Sequence, residues 1–307
     1  MFKKFRRNLA FFLCLSGLTL AATEASALHI DAVGVDTAKG DRQAPSSMAS
    51  IIVNSAGKEL YGIIYMAEGK GPHPTVMVLH GFPGNEKMLD LAQTLRRAGL
   101  NSVFFSYRGA WGSQGDFSYA NCIDDAEAVV KFLRAPENAA KYRIDPKKLV
   151  ISGHSMGGFV ALNLAKRLKD VKYFISFSGW NIGAEAERLL AGGEDAKAKR
   201  LVSIAASAAP LKGTSPEALW NEMISMKDSH NLLSYVPNLA GKKILMVAAR
   251  HDIPCPIRFD HVPLYSALKK AYPADIEEFI IDDDHAYSAN RIAIIKEVLV
   301  WLRKQGF

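Results

Sequence analysis

Residues 148–157 read Lys-Leu-Val-Ile-Ser-Gly-His-Ser-Met-Gly, and this stretch decides how the rest of the chain is interpreted. It begins with an apolar run typical of a buried strand, and a helical pattern follows it. Its last five residues therefore form a Gly-x-Ser-x-Gly pattern between a strand and a helix, which is typical of a nucleophile elbow. We expect side chains at Gly153 and Gly157 to collide with the neighbouring strand and helix in so tight a turn. The pattern predicts that Ser155 has a strained backbone and presents its hydroxyl as a nucleophile.

The rest of the chain alternates between strands and helices around this elbow. The predicted buried strands are residues 75–79, 101–105, 149–151, 173–177, 244–248 and 276–281. The predicted helices are residues 86–98, 121–134, 157–168 and 291–303, of which the second is expected to open at Asn121. Alternation at this spacing implies right-handed crossovers. The sequence therefore predicts an α/β fold with a mostly parallel central sheet and helices on both faces.

The segment ahead of this alternation has a different pattern. Residues 51–53 and 60–66 are sheet-like, and the turn residues between them predict an antiparallel hairpin. Residues 28–49 are polar, small and weakly patterned, so we expect a loose mature N-terminus. The hydrolase-like domain is expected to run from residue 50 to residue 307.

Residues 1–27 have the pattern of a secretory signal peptide: a basic start, an apolar run and the small residues Ala25-Ser26-Ala27. An uncleaved anchor is the alternative, but about twelve apolar residues are short for a membrane span. The sequence therefore predicts export, with a periplasmic or secreted mature protein.

Residues 180–240 interrupt the alternation. They contain helical pieces rich in Ala and Leu and no clear strand, which predicts a helical cap inserted over the carboxyl edge of the sheet. Trp180 and Trp220 lie in this insertion, and we expect them to line the substrate pocket.

A serine hydroxyl needs a base to take its proton, and His285 is the best placed of the eight histidines. It follows the last predicted strand and precedes the final helix, where it should project toward Ser155. Asp252 follows the preceding strand and would orient the imidazole. The order Ser155, Asp252, His285 matches the nucleophile, acid and base order of such folds. Asp260 and the acids at residues 282–284 are the alternatives for the third role.

Residues 80–85, His-Gly-Phe-Pro-Gly-Asn, follow the first buried strand. A glycine-rich loop there can aim a main-chain amide at the reacting atoms. We predict that the backbone N–H groups of Phe82 and Met156 form an oxyanion hole. An ordinary Gly-Pro turn is the alternative interpretation.

Two further clusters predict no chemistry. Tyr107-Arg108-Gly109 with Trp111-Gly112 is interpreted as a loop that braces the site. The pair Asp124-Asp125 is interpreted as charge at a helix start rather than a metal site. The sequence shows no metal-ligand spacing and no phosphate-binding glycine loop, so neither a metal nor an organic cofactor is expected.

Charge and cysteine content narrow the function classes. The formal net charge is +7; the first 27 residues contain four basic residues and one acid, which leaves +4. No basic stripe accompanies this excess, so nucleic acid is not an expected partner. Cys122 and Cys255 remain in the mature chain. They form either one disulfide or two buried free thiols, and the sequence leaves both readings open.

With these residues assembled, the chain resembles the α/β-hydrolase superfamily from about residue 50 to the end. Three motifs resemble those of bacterial hydrolases that are similar to two groups of enzymes. The motifs are residues 80–85, Tyr107-Arg108-Gly109 and Arg143-Ile144-Asp145-Pro146. The two groups are the catalytic domain of the prolyl-oligopeptidase and acylaminoacyl-peptidase family, and the lipase-like serine aminopeptidases. The resemblance implies a Ser-His-Asp triad acting on a small molecule or short peptide, without a cofactor.

The sequence does not determine the substrate class. The expected function is hydrolysis of carboxylic esters through an acyl-enzyme. A peptidase or amidase with the same triad is the first alternative, although the chain has no room for the N-terminal propeller of the larger peptidases. A binding protein that no longer turns over is the second.

Overall fold

The structure, a computed structural model, describes residues 28–36 and 40–307. In chain order its strands are β1 (Ser47–Ser55), β2 (Lys58–Met66), β3 (His73–Leu79), β4 (Asn101–Phe105), β5 (Ile144–His154), β6 (Tyr173–Phe177), β7 (Lys243–Ala249) and β8 (Ile276–Ile281). The helices are α1 (Leu89–Arg97), α2 (Tyr119–Arg134), α3 (Pro136–Lys141), α4 (Met156–Arg167), α5 (Ile182–Ala191), α6 (Gly193–Ser207), α7 (Pro216–Ser225), α8 (Ile257–Asp260), α9 (Val262–Ala271) and α10 (Arg291–Lys304). Two 3-10 helices span Ile30–Val33 and Leu232–Asn238.

All eight strands belong to one sheet in the order β1-β2-β4-β3-β5-β6-β7-β8. The β1–β2 and β2–β4 pairs are antiparallel, and the remaining pairs are parallel. The α/β fold with a mostly parallel sheet is thus confirmed. Parallel pairing brings the carboxyl ends of β3, β5, β6, β7 and β8 to one edge, and the loops that leave this edge contain the predicted site residues.

Helices cover both faces of the sheet. One apolar layer packs α1, α10 and the first 3-10 helix on one face. The other layer packs α2, α4, α9 and helices of the insertion on the opposite face. Because both faces are covered, the central strands consist almost entirely of buried residues, as the continuous apolar runs predicted.

The predicted hairpin is present, but its first strand begins at Ser47, four residues earlier than expected. Ala56 and Gly57 form the turn with φ angles of 48° and 76°. The extension was not predicted because only the second half of β1 alternates clearly between exposed and buried residues. Its first half pairs through backbone hydrogen bonds, which need no apolar side chain.

We expected residues 28–49 to be loose, but this is wrong for the first residues of the segment, which pack against the domain. Leu28 and Ala32 are buried. Arg97 Nε donates to the carbonyl of Ala32 at 2.8 Å, and Arg303 Nη2 donates to that of Leu28 at 2.8 Å. Two apolar side chains and two long-range hydrogen bonds hold this segment against α1 and α10. Residues 1–27 lie outside the described part, so cleavage and export stay predictions.

Helix α2 begins at Tyr119, not at Asn121. Ser118 is its N-cap, and the Ser118 hydroxyl accepts a hydrogen bond from the amide of Asn121 at 3.0 Å. The first turn holds no acid, so Asp124 and Asp125 lie further into the helix than the sequence suggested.

The insertion between β6 and β7 contains α5, α6, α7 and the second 3-10 helix. It contacts the loop that follows β4. Trp111 N donates to the Pro210 carbonyl at 3.1 Å, and Phe117 N donates to the Lys212 carbonyl at 2.9 Å. Within the described ranges, no helix has the length and apolar character needed to cross a membrane.

Candidate active site

Ser155 lies at the junction of β5 and α4 with a φ of 56° and a ψ of −118°. A Cβ at Gly153 would lie 2.1 Å from the Gly157 carbonyl oxygen, and one at Gly157 would lie 2.2 Å from that of Leu79. Both distances are too short for real atoms, so the turn requires glycine at these two positions. The predicted steric reason for the Gly-x-Ser-x-Gly pattern is confirmed.

The backbone of Ser155 is held in this conformation by β6 and the residues after it. Its amide donates to the Phe177 carbonyl at 2.9 Å, and its carbonyl accepts from Trp180 at 3.0 Å and from Gly158 at 2.9 Å. A positive φ costs free energy in a non-glycine residue and persists where the surroundings enforce it. These backbone hydrogen bonds therefore fix Ser155 at the carboxyl edge of the sheet.

Asp252 and His285 meet at this edge from two adjacent loops. The register pairs Ala249 of β7 with Ile281 of β8, so the loops after these strands lie side by side. His285 Nδ1 lies 2.8 Å from each carboxylate oxygen of Asp252. The Asp252 side chain is 1% exposed, and Oδ1 also accepts the amide of Cys255 at 2.7 Å. This arrangement suits a carboxylate that orients an imidazole and stabilises its protonated form.

The alternative acids have other partners among the described residues. Asp260 Oδ1 accepts the amide of Asn181. Asp282 contacts His251 at 2.7 Å, and Asp283 and Asp284 accept amides of their own loop. Of the candidate acids that the structure describes, Asp252 is the one hydrogen-bonded to His285.

His154 supports the position of His285 from behind. His154 Nε2 donates to the His285 carbonyl at 2.8 Å, and the two ring centroids are 4.6 Å apart. Burial lowers the pKa of His154 to about 3, so its ring is neutral and can keep this donor tautomer. The sequence shows that His154 belongs to the elbow, but it could not show this contact.

Ser155 Oγ has a sulfur neighbour. It lies 3.9 Å from Cys255 Sγ, and no hydrogen bond joins it to His285 in the described chain. Hydrogen bonds of catalytic groups are commonly long in ligand-free sites and shorten when substrate binds.

The loop after β3 lies against the elbow. A Cβ at Gly81 would lie 2.9 Å from the Ser155 Cβ. The Phe82 amide donates to no other group that the structure describes. Met156 is the first residue of α4, a position whose amide has no partner within the helix. Two amides that are free to donate thus flank the nucleophile, as an oxyanion hole requires.

The segment interpreted as a brace does fix this loop. Trp111 Nε1 donates to the Pro83 carbonyl at 2.8 Å. Arg108 is held in turn by Asp125, which accepts Nε at 2.6 Å and the Arg108 amide at 2.8 Å. Asp125 is fully buried, and burial raises the pKa of its carboxyl group. The interpretation of Asp125 as charge at a helix start is therefore wrong; it anchors the loop after β4.

Aromatic side chains cluster between the loop after β3, the loop after β4 and the start of the insertion. Tyr119 and Trp180 meet edge to face with centroids 5.2 Å apart, and Phe82 lies 5.9 Å from Phe117. Trp180 and Trp220 are both buried. The sequence drew attention to the two tryptophans but missed Phe117 and Tyr119, which the loop after β4 brings to the site. These rings form an apolar cluster that reaches the nucleophile through the backbone of Trp180, whose amide donates to the Ser155 carbonyl.

The two cysteines are free and buried, so the disulfide alternative is wrong. Cys255 joins Asp252 and His285 in a cluster whose potential ligand atoms all lie within 4.8 Å of one another. No motif revealed this cluster, because its third member is thirty residues away and reaches it only through the fold.

Parts of this chain are similar to known hydrolases in sequence or in structure. A curated lysophosphatidylserine lipase from Danio rerio is 35% identical over 109 residues, which are 34% of this chain and 27% of that protein. A solved esterase from Pyrococcus furiosus is 19% identical with a TM-score of 0.63, covering 84% of this chain and 91% of that one. The acylaminoacyl peptidase of Pyrococcus horikoshii is 18% identical with a TM-score of 0.61, covering 84% and 41%.

The curated relatives are matched over only part of their length, whereas the family model matches most of this chain. The chain spans less than half the length of the lipase and of the other curated relatives that it matches. The two solved structures share the fold. The sequence model of the alpha/beta hydrolase family, however, matches residues 76–304, which is most of the chain and includes Ser155, Asp252 and His285. The chain belongs to the α/β-hydrolase family.

Proposed function

We propose that this protein hydrolyses carboxylic esters, with Ser155 as nucleophile, His285 as base and Asp252 as the acid that orients it. The observation that carries the proposal is the buried Asp252 carboxylate on His285 Nδ1, next to a serine held at positive φ. Lipase and esterase relatives support the same class of reaction.

In the proposed mechanism, His285 takes the Ser155 proton as Oγ attacks the acyl carbon. The amides of Phe82 and Met156 stabilise the developing oxyanion, an effect typically worth about 3 kcal/mol per donor. His285 then protonates the leaving alcohol. Water repeats the sequence on the acyl-enzyme and releases the acid, which restores Ser155. The apolar rings of Phe82 and Trp180 would contact the acyl group.

Covalent labelling tests the nucleophile. A fluorophosphonate probe should label the mature protein and fail to label Ser155→Ala. Ser207→Ala, on the surface of α6, is the matched control and should label like the wild type. A wild-type protein that takes up no label would overturn the proposal and favour a binding protein on a hydrolase scaffold.

Paired substrates test the ester assignment. We expect p-nitrophenyl acyl esters to be turned over much faster than aminoacyl-p-nitroanilides. Efficient anilide cleavage with negligible ester cleavage would instead assign a peptidase with the same triad.

A further inference from the structure

Cys255 has no role in the proposed reaction, yet its thiol lies inside the site. Its Sγ is 3.9 Å from Ser155 Oγ, and its side chain is buried. The reaction needs a nucleophile, a base, an acid and two amides, and other residues supply all of these. The position of this thiol therefore calls for a separate explanation.

The groups around the thiol form a set of metal ligands. One atom each from Asp252, Cys255 and His285 lies within 4.8 Å of the other two. A carboxylate, a thiolate and an imidazole are the three ligand types that zinc binds in proteins. Zinc bond lengths place tetrahedral ligands about 3.3–3.7 Å apart, so the three ligand atoms have to adjust their spacing when the ion binds.

Two features favour this adjustment. Asp252 and Cys255 belong to one short turn, in which the Cys255 amide already donates to the carboxylate at 2.7 Å. His285 lies in the adjacent loop and its side chain is 19% exposed, so one member of the cluster is reached by solvent. A metal ion can therefore approach from the His285 side, and a water can complete its coordination.

We propose that Zn²⁺ binds Asp252, Cys255 and His285 and reversibly inhibits the enzyme. The thiol proton passes to solvent when the Zn–S bond forms, and no group is oxidised or reduced. An imidazole and a carboxylate that coordinate zinc are no longer free to accept and stabilise the Ser155 proton. The inhibition rests on the proposed function, whereas the metal site does not.

Calorimetric titration of Zn²⁺ into the Ser155→Ala protein tests the site without any need for activity. We expect one zinc site per protein. Cys255→Ala should weaken zinc binding by at least about 10–100-fold, the loss that is typical when a residue hydrogen-bonded to a metal ligand is removed. Cys122→Ala is the matched control, because Cys122 is the other buried free thiol and lies in α2. Equal zinc affinity in the two cysteine variants would overturn the proposal.

Cobalt(II) reports the thiolate directly. We expect a near-ultraviolet sulfur-to-cobalt charge-transfer band in the wild type, in Ser155→Ala and in Cys122→Ala, and its loss in Cys255→Ala. A band that persists in Cys255→Ala, or is absent from the wild type at saturating Co²⁺, would refute the site.

Esterase assays with and without Zn²⁺ test the inhibition. We expect zinc to inhibit the wild type and Cys122→Ala, a chelator to restore activity, and Cys255→Ala to require at least about tenfold more zinc. An active wild type that binds zinc without inhibition would overturn the inhibitory role. An inactive wild type that still binds zinc would refute the proposed function and leave the metal site standing.

Discussion

The Asp252 carboxylate accepts hydrogen bonds from two directions. The Cys255 amide comes from its own turn, and the His285 imidazole comes from the next loop. The backbone contact prevents the carboxylate from rotating, and the imidazole contact determines which ring nitrogen carries the proton. In the proposed mechanism the second ring nitrogen is then free to act as base toward Ser155.

Asp252→Asn tests this role. The amide keeps the shape but can present its NH₂ group to His285 Nδ1, which favours the wrong imidazole tautomer. We expect kcat for ester hydrolysis to fall by about 10⁴-fold with an unchanged far-ultraviolet circular dichroism spectrum. Asp282→Asn, an exposed acid near His285, is the control and should stay near the wild-type rate. Comparable losses in both variants would contradict the assignment.

At the scale of elements, α8 connects the loop of Asp252 to the insertion. Asp260 at the end of α8 accepts the amide of Asn181, and its second oxygen lies 3.6 Å from Arg188 of α5. Burial raises the pKa of Asp260 to about 7, with the nearby charges of Glu185 and Asp252 contributing. Ionisation therefore places a charge in a buried position, and this desolvation outweighs the contacts with Asn181 and Arg188, which favour the charged form.

The sign of the pH dependence follows from this raised pKa. The folded protein holds the Asp260 proton more tightly than the unfolded chain. The protonated carboxyl group therefore contributes its full stabilisation below about pH 4, and this contribution is lost as the pH rises to 7. Asp260→Asn mimics the protonated form. We compare the free energy of unfolding of Asp260→Asn with that of the wild type at the same pH. We expect the variant's gain over the wild type to be about 2 kcal/mol larger at pH 8 than at pH 5. Chemical denaturation at both pH values measures this, and an equal gain at both would contradict it.

At the scale of the whole molecule, the N-terminal segment joins two helices on the same face of the sheet. Leu28 and Ala32 pack against α1 and α10, which are distant in sequence. The segment therefore stabilises the layer opposite the insertion, far from the insertion helices beside Ser155.

Leu28→Ala should lower the free energy of unfolding by about 2 kcal/mol, since a buried leucine loses its contacts. Val35→Ala is the control, because Val35 is 62% exposed and should change stability by less than about 0.5 kcal/mol. Urea unfolding measures both, with fluorophosphonate labelling of each folded variant expected at the wild-type level. Equal stability of the two variants would show that the segment contributes nothing.

The sequence by itself determined the features that depend on neighbours along the chain. Strand and helix alternation follows from local periodicity, and the elbow follows from two glycines whose Cβ atoms the turn excludes. Loop positions after successive parallel strands follow from topology, which is why Asp252 and His285 could be named in advance. The start of β1 and the cap of α2 were missed, because backbone pairing and a single hydroxyl leave little trace in apolar periodicity.

Only the tertiary structure decided which side chains meet across the fold. It separated Asp252 from Asp260, buried Asp125 against Arg108, and placed His154 behind His285. It also brought the Cys255 thiol to Ser155, from one hundred positions away. These contacts depend on distances of a few ångström between segments that are far apart in sequence, and such distances are set when the sheet and its two helical layers pack together.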